Sequence, residues 1–412
     1  MAGGKKLAVS PLAPTSFPHL PSLAGVEIEV AHSGIRYKGR SDLLLISFPK
    51  GSSVAGVFTR SATRSAPVDW CRNSLSQGNI RAAVINAGNA NAFTGSVGMA
   101  VVEATAAAAA KRFSCKPEEV FIASTGVIGQ KLAPNAIADA FALLKKPDNG
   151  WAEAAKAIMT TDTFPKLATV TTNIAGTVVT INGIAKGSGM IAPDMATMIA
   201  LVATDAAIPS PLLQELLRKG VAQSFNAITV DGDTSTSDSL LVIATGGAAN
   251  VIPETINDPI LRHFKKALNQ LLLELAQQVV KDGEGATKFI TVRVKNAVSS
   301  RSAHKIALAI GNSPLVKTAI AGEDANWGRV VMAVGKSGEP ADRDRLSVAM
   351  GGVVIASHGS AVENYDETPV VAHMKGQDIV IEVDIGLGRG KAEIYSCDLT
   401  HAYIDINGSY RS

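Results

Sequence analysis

The chain has 412 residues, more than one simple hydrophobic core accommodates, so at least two lobes are expected. Hydrophobic residues make up 46% and charged residues 18%, with a formal net charge of +3 and no Lys/Arg block; this describes a globular protein and argues against nucleic-acid binding. The three cysteines, Cys71, Cys115 and Cys397, stand far apart without a CxxC pair, which argues against a disulfide framework or a structural zinc site and suits a reducing cytosol.

Lys5 and Lys6 are followed by no continuous apolar run, so no secretory signal is expected. No stretch reaches the length of a membrane span, and a cytoplasmic location is expected. Residues 8–25, rich in Pro, Ser and Leu, read as an irregular extended segment. Residues 34–39 read as a turn-flanked strand, 42–48 and 53–59 as buried strands, and 80–86 as a further short strand. The polar segment 86–95 reads either as a solvated loop or as a backbone-rich lining for a small polar ligand. Residues 97–113, with five consecutive alanines at 106–110, are a strong helix former, and Lys111 and Arg112 complement the helix dipole. Residues 120–124 read as a strand running into Thr125-Gly126. Helices are expected over about 135–145 and 152–159, and a strand over 176–182 that ends in the hairpin signal Asn182-Gly183.

The next stretch is Lys186-Gly-Ser-Gly-Met-Ile-Ala-Pro-Asp-Met-Ala-Thr-Met-Ile-Ala200. It reads as a loop feeding a buried strand, with one hydroxyl, Thr197, at the start of an apolar run. Beyond it come a helix over about 211–225 and the acidic, hydroxyl-rich segment 227–239. That segment lacks the ligand spacing of an EF-hand and reads as a self-bonded turn; no metal site is expected. Residues 240–245 read as a strand. Residues 258–281 carry helical periodicity, with Leu261, Phe264, Leu268, Leu271, Leu272 and Leu275 on one face. Strands are then expected at 289–294, 306–310, 330–334, 379–384 and 392–395. Ser313-Pro314 reads as an N-cap with proline at the first position of a helix reaching about Ala321. Gly386-Leu-Gly-Arg-Gly390 opens no helix, so it fails as a dinucleotide loop and reads as a tight hairpin. Strands alternating with helices at this density indicate a mixed α/β (α+β) fold.

The chemistry concentrates at Thr197. A chain that cut itself before this residue would free an amine beside the hydroxyl, and that amine could serve as its base. An α-amino group titrates near pH ~8, close enough to act under physiological conditions. Ala196 is small and leaves the scissile carbonyl accessible, and Gly187 and Gly189 permit unusual backbone angles in the preceding loop. Thr125 and Gly126, where a strand ends, are candidate oxyanion donors. Lys186 can meet a carboxylate as a point charge, and Glu284 can meet an ammonium group.

The motif 186–200 resembles the ornithine acetyltransferases, the glutamate N-acetyltransferases of arginine biosynthesis. The resemblance runs from Gly34-Ile-Arg-Tyr-Lys through Ala325-Asn-Trp-Gly-Arg329 to Ser412. It departs at Ile199, where leucine is frequent, and at Gly408-Ser409, where Ala-Asp is frequent. It implies a self-cleaving, DmpA/ArgJ-like fold of layered sheets and helices. Cleavage at Ala196–Thr197 would give an α chain of residues 1–196 and a β chain of 197–412, assembled as α2β2. The resemblance implies acetyl transfer from N-acetylornithine to glutamate through acetyl-Thr197, with no metal or organic cofactor; some members also use acetyl-CoA. It implies oxyanion roles for Thr125 and Gly126, a ligand-lining role for segment 86–95, and substrate contacts at Thr163 in preference to Thr160. Further substrate contacts are implied at Lys186, Thr197, Glu284, Asn407 and Ser412. Two other readings share these residues: a self-cleaving N-terminal-nucleophile aminopeptidase or amidohydrolase, and an uncleaved amino-acid-binding protein. Hydrolysis of acetylornithine without glutamate would mark the first, and ornithine binding without turnover the second.

Overall fold

The computed structural model describes residues 8–192 and 198–408. These form two compact units, a larger one of residues 15–226 and 234–279 and a smaller one of 8–14, 227–233 and 280–408. Each is a β-sheet with helices packed on it, so the mixed α/β class holds.

The larger unit contains β1 (Glu27–Ala31), β2 (Leu43–Phe58), β3 (Asn79–Asn89), β4 (Val120–Val127), β5 (Lys166–Ile174), β6 (Thr177–Lys186), β7 (Ile199–Thr204) and β8 (Ser239–Ala244). Its helices are α1 (Ala66–Ser74), α2 (Ser96–Phe113), α3 (Ala136–Asp139), α4 (Gly150–Ala157), α5 (Ser210–Val221) and α6 (Arg262–Lys281), whose last two residues belong to the smaller unit. The sheet order is β4-β3-β2-β8-β7-β6-β5, with β1 paired to β2. The β3–β4 and β7–β8 pairs are parallel. β2 serves two neighbours along one edge, β1 on its first half and β8 on its second, and its register with β3 shifts between Ser47 and Ser52. Beyond the reach of β3, the amide of Gln214 on α5 takes over that edge, accepting from Gly56 N at 2.9 Å and donating to Gly56 O at 3.0 Å.

The run Leu43-Leu44-Leu45-Ile46 is wholly buried because both sheet faces are covered. Strand alternation sends Leu43 and Leu45 to the side of α2, with Val84, Val120 and Ile122. Leu44 and Ile46 go to the opposite side, with Ile80, Phe121 and residues of α1 and α4. On α6 every residue of the expected apolar face, Leu261 at its start through Leu275, is at most 1% exposed.

Residues 34–39 form no strand: Gly34 and Gly39 have φ of 70° and 76°, which curls the segment. A Cβ on Gly88 would lie 2.4 Å from Arg36 Cβ, so the curled segment rests directly on β3. Asn182-Gly183 is not a turn but the interior of β6. The hairpin turns at Ala175-Gly176, both at positive φ (50° and 87°), as a type I′ loop requires, and Ile174 pairs with Thr177. Gly183 is needed because α6 lies on it: a Cβ would sit 2.7 Å from Leu275 Cδ1 and 2.9 Å from Leu271 Cδ2.

The smaller unit holds β9 (Phe289–Ala297), β10 (Ser347–Met350), β11 (Val353–Ser357), β12 (Ser360–Ala361), β13 (Asp378–Asp384) and β14 (Gly390–Cys397). Its helices are α7 (Ser300–Gly311), α8 (Pro314–Ala321), α9 (Trp327–Gly335), α10 (Thr368–Met374) and α11 (His401–Asn407). The sheet order is β12-β11-β10-β13-β9-β14, and Ile379, Ile381 and Val383 of β13 alternate into a core shared with Val292, Ile306 and Ile310. The apolar runs 306–310 and 330–334, expected as strands, are helical instead. Ser299 Oγ accepts from Ser302 N at 3.1 Å and Asn326 Oδ1 accepts from Arg329 N at 3.1 Å, and these caps start α7 and α9. Ile306 with Ile310, and Val330 with Ala333 and Val334, then share a helical face. The Ser313 cap of α8 is present as expected, accepting from Val316 N.

Residues 386–390 do not close a hairpin. β13 and β14 flank β9 on opposite sides, and the connection crosses its end so tightly that a Cβ on Gly388 would lie 2.5 Å from Ala297 O. Cys71, Cys115 and Cys397 are free thiols; burial pushes the Cys71 thiol up to about 12. No helix among the described residues is long and apolar enough to cross a membrane.

Candidate active site

Ala196 and Thr197, the expected scissile bond and nucleophile, and Ser412, the expected terminal contact, lie outside the described residues. The strands flanking the first two are β6 and β7. They are hydrogen-bonded neighbours paired from Ile181–Thr204 to Lys186–Ile199, so the chain leaves the sheet at Lys186 and re-enters it at Ile199.

Lys186 is 9% exposed, and its Nζ donates to Thr125 Oγ1 at 3.1 Å. Thr125 lies near the end of β4 rather than beyond it. The hydroxyl accepts from the ammonium and so retains its own hydrogen for donation elsewhere. The adjacent Gly126 has φ of 128°, and a Cβ there would lie 2.3 Å from the carbonyl carbon of Gly88, its partner on β3. Only glycine allows these strand ends to approach so closely.

The segment before β5 is organised by Asp162, which sequence reasoning passed over. Its side chain is fully buried. Oδ1 accepts from Gly187 N at 2.6 Å and from Lys166 Nζ at 2.5 Å, and Oδ2 accepts from Thr160 N at 2.9 Å. Burial opposes ionisation of this carboxyl, but Lys166 and Lys186 together with these hydrogen bonds outweigh it and hold the group well below the usual carboxylate range. Thr160 is thus tied down through its backbone, Thr161 Oγ1 bonds Ser188 Oγ at 2.8 Å, and Thr163 is half-buried between them and β5. Asp162 was legible only as part of an Asp-x-x-x-Lys spacing, which is a weak signal without its tertiary partners.

The asparagine-rich segment is committed to the protein itself. Asn86 Nδ2 donates to Asn89 O, Asn89 Nδ2 to Gln130 O and Asn91 Nδ2 to Gly98 O, each at 2.9 Å. Ser124 Oγ donates to Asn86 Oδ1 at 2.5 Å. The three side chains brace the β3–β4 ends. The segment 227–239 is self-bonded as expected: Asp231 Oδ1 accepts from Asp233 N, and Ser235 Oγ from Ser237 N.

In the smaller unit, Asn407 Nδ2 donates to Glu284 Oε2 at 2.7 Å, so these two expected substrate contacts are each other's partners. Gly285 makes this possible. It has φ of 75°, and a Cβ would lie 2.6 Å from Tyr403 N on α11. Thr400 caps that helix and anchors it, its Oγ1 donating to Gly285 O at 2.7 Å. Burial first, then the charges of Asp231, Glu284 and Asp233, push the Tyr403 phenol above its usual range. These carboxylates create a negative environment suited to an ammonium group.

The chain matches the ArgJ family over residues 27–412. It is 61% identical over 410 residues to the arginine biosynthesis bifunctional protein ArgJ of Gluconobacter oxydans, covering 99% of this chain and 96% of that protein. To the protein of the same name from Mesorhizobium japonicum it is 56% identical over 410 residues, covering 98% and 99%. The crystal structure of ArgJ from Bacillus halodurans is 39% identical with a TM-score of 0.48, over 50% of this chain and 96% of that one. The likeness first read in the motif 186–200 therefore extends through nearly the entire sequence, and the chain belongs to the ArgJ family.

Proposed function

We propose that this protein is an acetyltransferase of arginine biosynthesis that moves the acetyl group of N2-acetylornithine to glutamate through an ester on Thr197. Its near full-length kinship with arginine biosynthesis bifunctional proteins is the observation that carries this reading. The same name supports a second acyl donor, acetyl-CoA. The enzyme matures by attack of the Thr197 hydroxyl on the Ala196 carbonyl. This N-to-O shift gives an ester that water opens, leaving an α chain of 1–196 and a β chain that begins with a free threonine amine.

In turnover, that amine takes the proton of the Thr197 hydroxyl while the oxygen attacks the acetyl carbonyl of N2-acetylornithine. The carbonyl oxygen gains negative charge and is met by the Thr125 hydroxyl and the Gly126 N–H. Thr125 is suited to this because Lys186 occupies its acceptor side. Collapse of the intermediate breaks the C–N bond, the proton passes to the leaving nitrogen and ornithine departs. The amine of glutamate then attacks the ester and leaves as N-acetylglutamate. Thr163, with Thr160 beside it, Lys186, Glu284, Asn407 and Ser412 hold the amino-acid ends, Lys186 on a carboxylate and Glu284 on the ornithine ammonium. The working assembly is α2β2 in the cytoplasm.

Intact mass spectrometry under denaturing, reducing conditions tests the scheme first. Two chains broken between Ala196 and Thr197 are expected. They should co-elute under native conditions, because β6 and β7 are paired across the break. An unbroken chain from a preparation that transfers acetyl groups overturns the amine-as-base mechanism.

A further inference from the structure

Asp162 lies where three parts of the site meet. One carboxylate oxygen receives the N–H of Gly187, directly after Lys186, and the ammonium of Lys166; the other receives the N–H of Thr160. Lys166 opens β5 and Lys186 closes β6, on adjacent strands where Lys166 pairs with Ala185. Gly187 has φ of 149°, and a Cβ there would lie 2.9 Å from Ile191 Cδ1, so the backbone leaves β6 in a conformation that needs an outside hold. Lys166 and Asp162 side chains are both 0% exposed. A buried carboxylate needs donors beyond its counter-ion, and adjoining backbone alone could supply them. This one also grips the backbone on either side of the expected substrate contacts.

We propose that Asp162 is a positioning residue for acetyl transfer: by clasping Thr160 and Gly187 together it holds Lys186 against Thr125 and so aims the Thr125 hydroxyl at the reacting carbonyl. The role rests on the acetyltransferase reading given above. Lys166 makes the direct ion pair with Asp162, while the ammonium of Lys186 reaches the Thr125 hydroxyl. A lysine on a flexible stem still reaches a carboxylate after a small displacement, whereas a hydroxyl that has lost its direction does not support an oxyanion. Loss of the clasp therefore falls mainly on kcat.

The test compares the wild type with Asp162→Asn and with the paired variant Asp162→Asn/Lys166→Met, which removes both buried charges together. Asp162→Asn alone strands the Lys166 charge and is expected to lower both Tm and kcat. The paired variant is expected to regain a Tm close to wild type while kcat for acetylornithine–glutamate exchange stays at least about tenfold low and KM changes less than about threefold. Labelling by an amine-reactive reagent, followed by peptide mass spectrometry, reads the clasp without turnover. Lys186 should label at least about fivefold faster in the paired variant, with exposed Lys219 as the unchanged control. Recovery of wild-type kcat together with Tm, or unaltered Lys186 labelling, overturns the proposal. A wild type that transfers no acetyl group to glutamate overturns the acetyltransferase reading instead, and the labelling result still decides the role of Asp162.

Discussion

Asn86, Asn89 and Asn91 illustrate how folding commits polar side chains before any ligand can use them: each carboxamide is bonded to the protein's own backbone. Thr125 is different, since its hydroxyl accepts from Lys186 and keeps a hydrogen to give. Thr125→Val keeps the shape of the side chain and removes that hydrogen. It also takes away the acceptor of the buried Lys186 ammonium, so Tm should fall as well, and kcat should drop by roughly a hundredfold or more; retention of wild-type kcat in steady-state assays would remove Thr125 from the oxyanion site. At this scale the sequence offers candidate hydroxyls and charges one by one, through the motif 186–200 and the Ser124-Thr-Gly-Val segment, and the structure brings two of them, Lys186 and Thr125, together. Asp162 was not legible, because only its spacing to Lys166 is local, while its partner Gly187 is brought to it by the β5–β6 pairing.

At the scale of elements, the long amphipathic α6 and the buried β2 were readable from periodicity, since their apolar faces follow the helical and strand repeats. The errors fell where one signal serves two structures. An apolar run such as 306–310 reads as a strand until the Ser299 cap sets a helical register. Asn182-Gly183 reads as a turn until α6 shows why the glycine is there. Gly183→Ala should therefore cost about 1–3 kcal/mol by overpacking against Leu271 and Leu275. Leu275→Ala in the same chain should recover part of that loss, the two changes being coupled through shared space. Denaturant unfolding of the two single variants and the double variant checks this, and strict additivity would show that the contact is unimportant.

At the scale of the whole molecule, each unit carries its own core, one on both faces of the larger sheet and one in the smaller. The Asp162–Lys166 pair in the larger unit links stability to pH. Its carboxyl is held below the unfolded value of about 3.9, so its stabilisation is fully present above that value and is lost as pH falls through the folded one. Tm measured from pH ~6 down to ~2 should decline less steeply in the Asp162→Asn/Lys166→Met variant than in the wild type. Parallel curves would show that the pair contributes nothing to acid sensitivity.

By itself the sequence determined the mixed α/β class, the apolar faces that become the cores, and, through the motif 186–200, the family. These are local or additive properties: periodicity, composition and a contiguous run of residues. Only the tertiary structure decided that Gly126 must be glycine, because a Cβ there would lie 2.3 Å from the carbonyl carbon of Gly88. It also decided that Glu284 and Asn407 bond each other across 123 positions of chain and that a buried aspartate ties Thr160 to Gly187, the residue after Lys186. Those facts depend on which strands become neighbours, and strand pairing is a long-range outcome that no short stretch of sequence encodes alone.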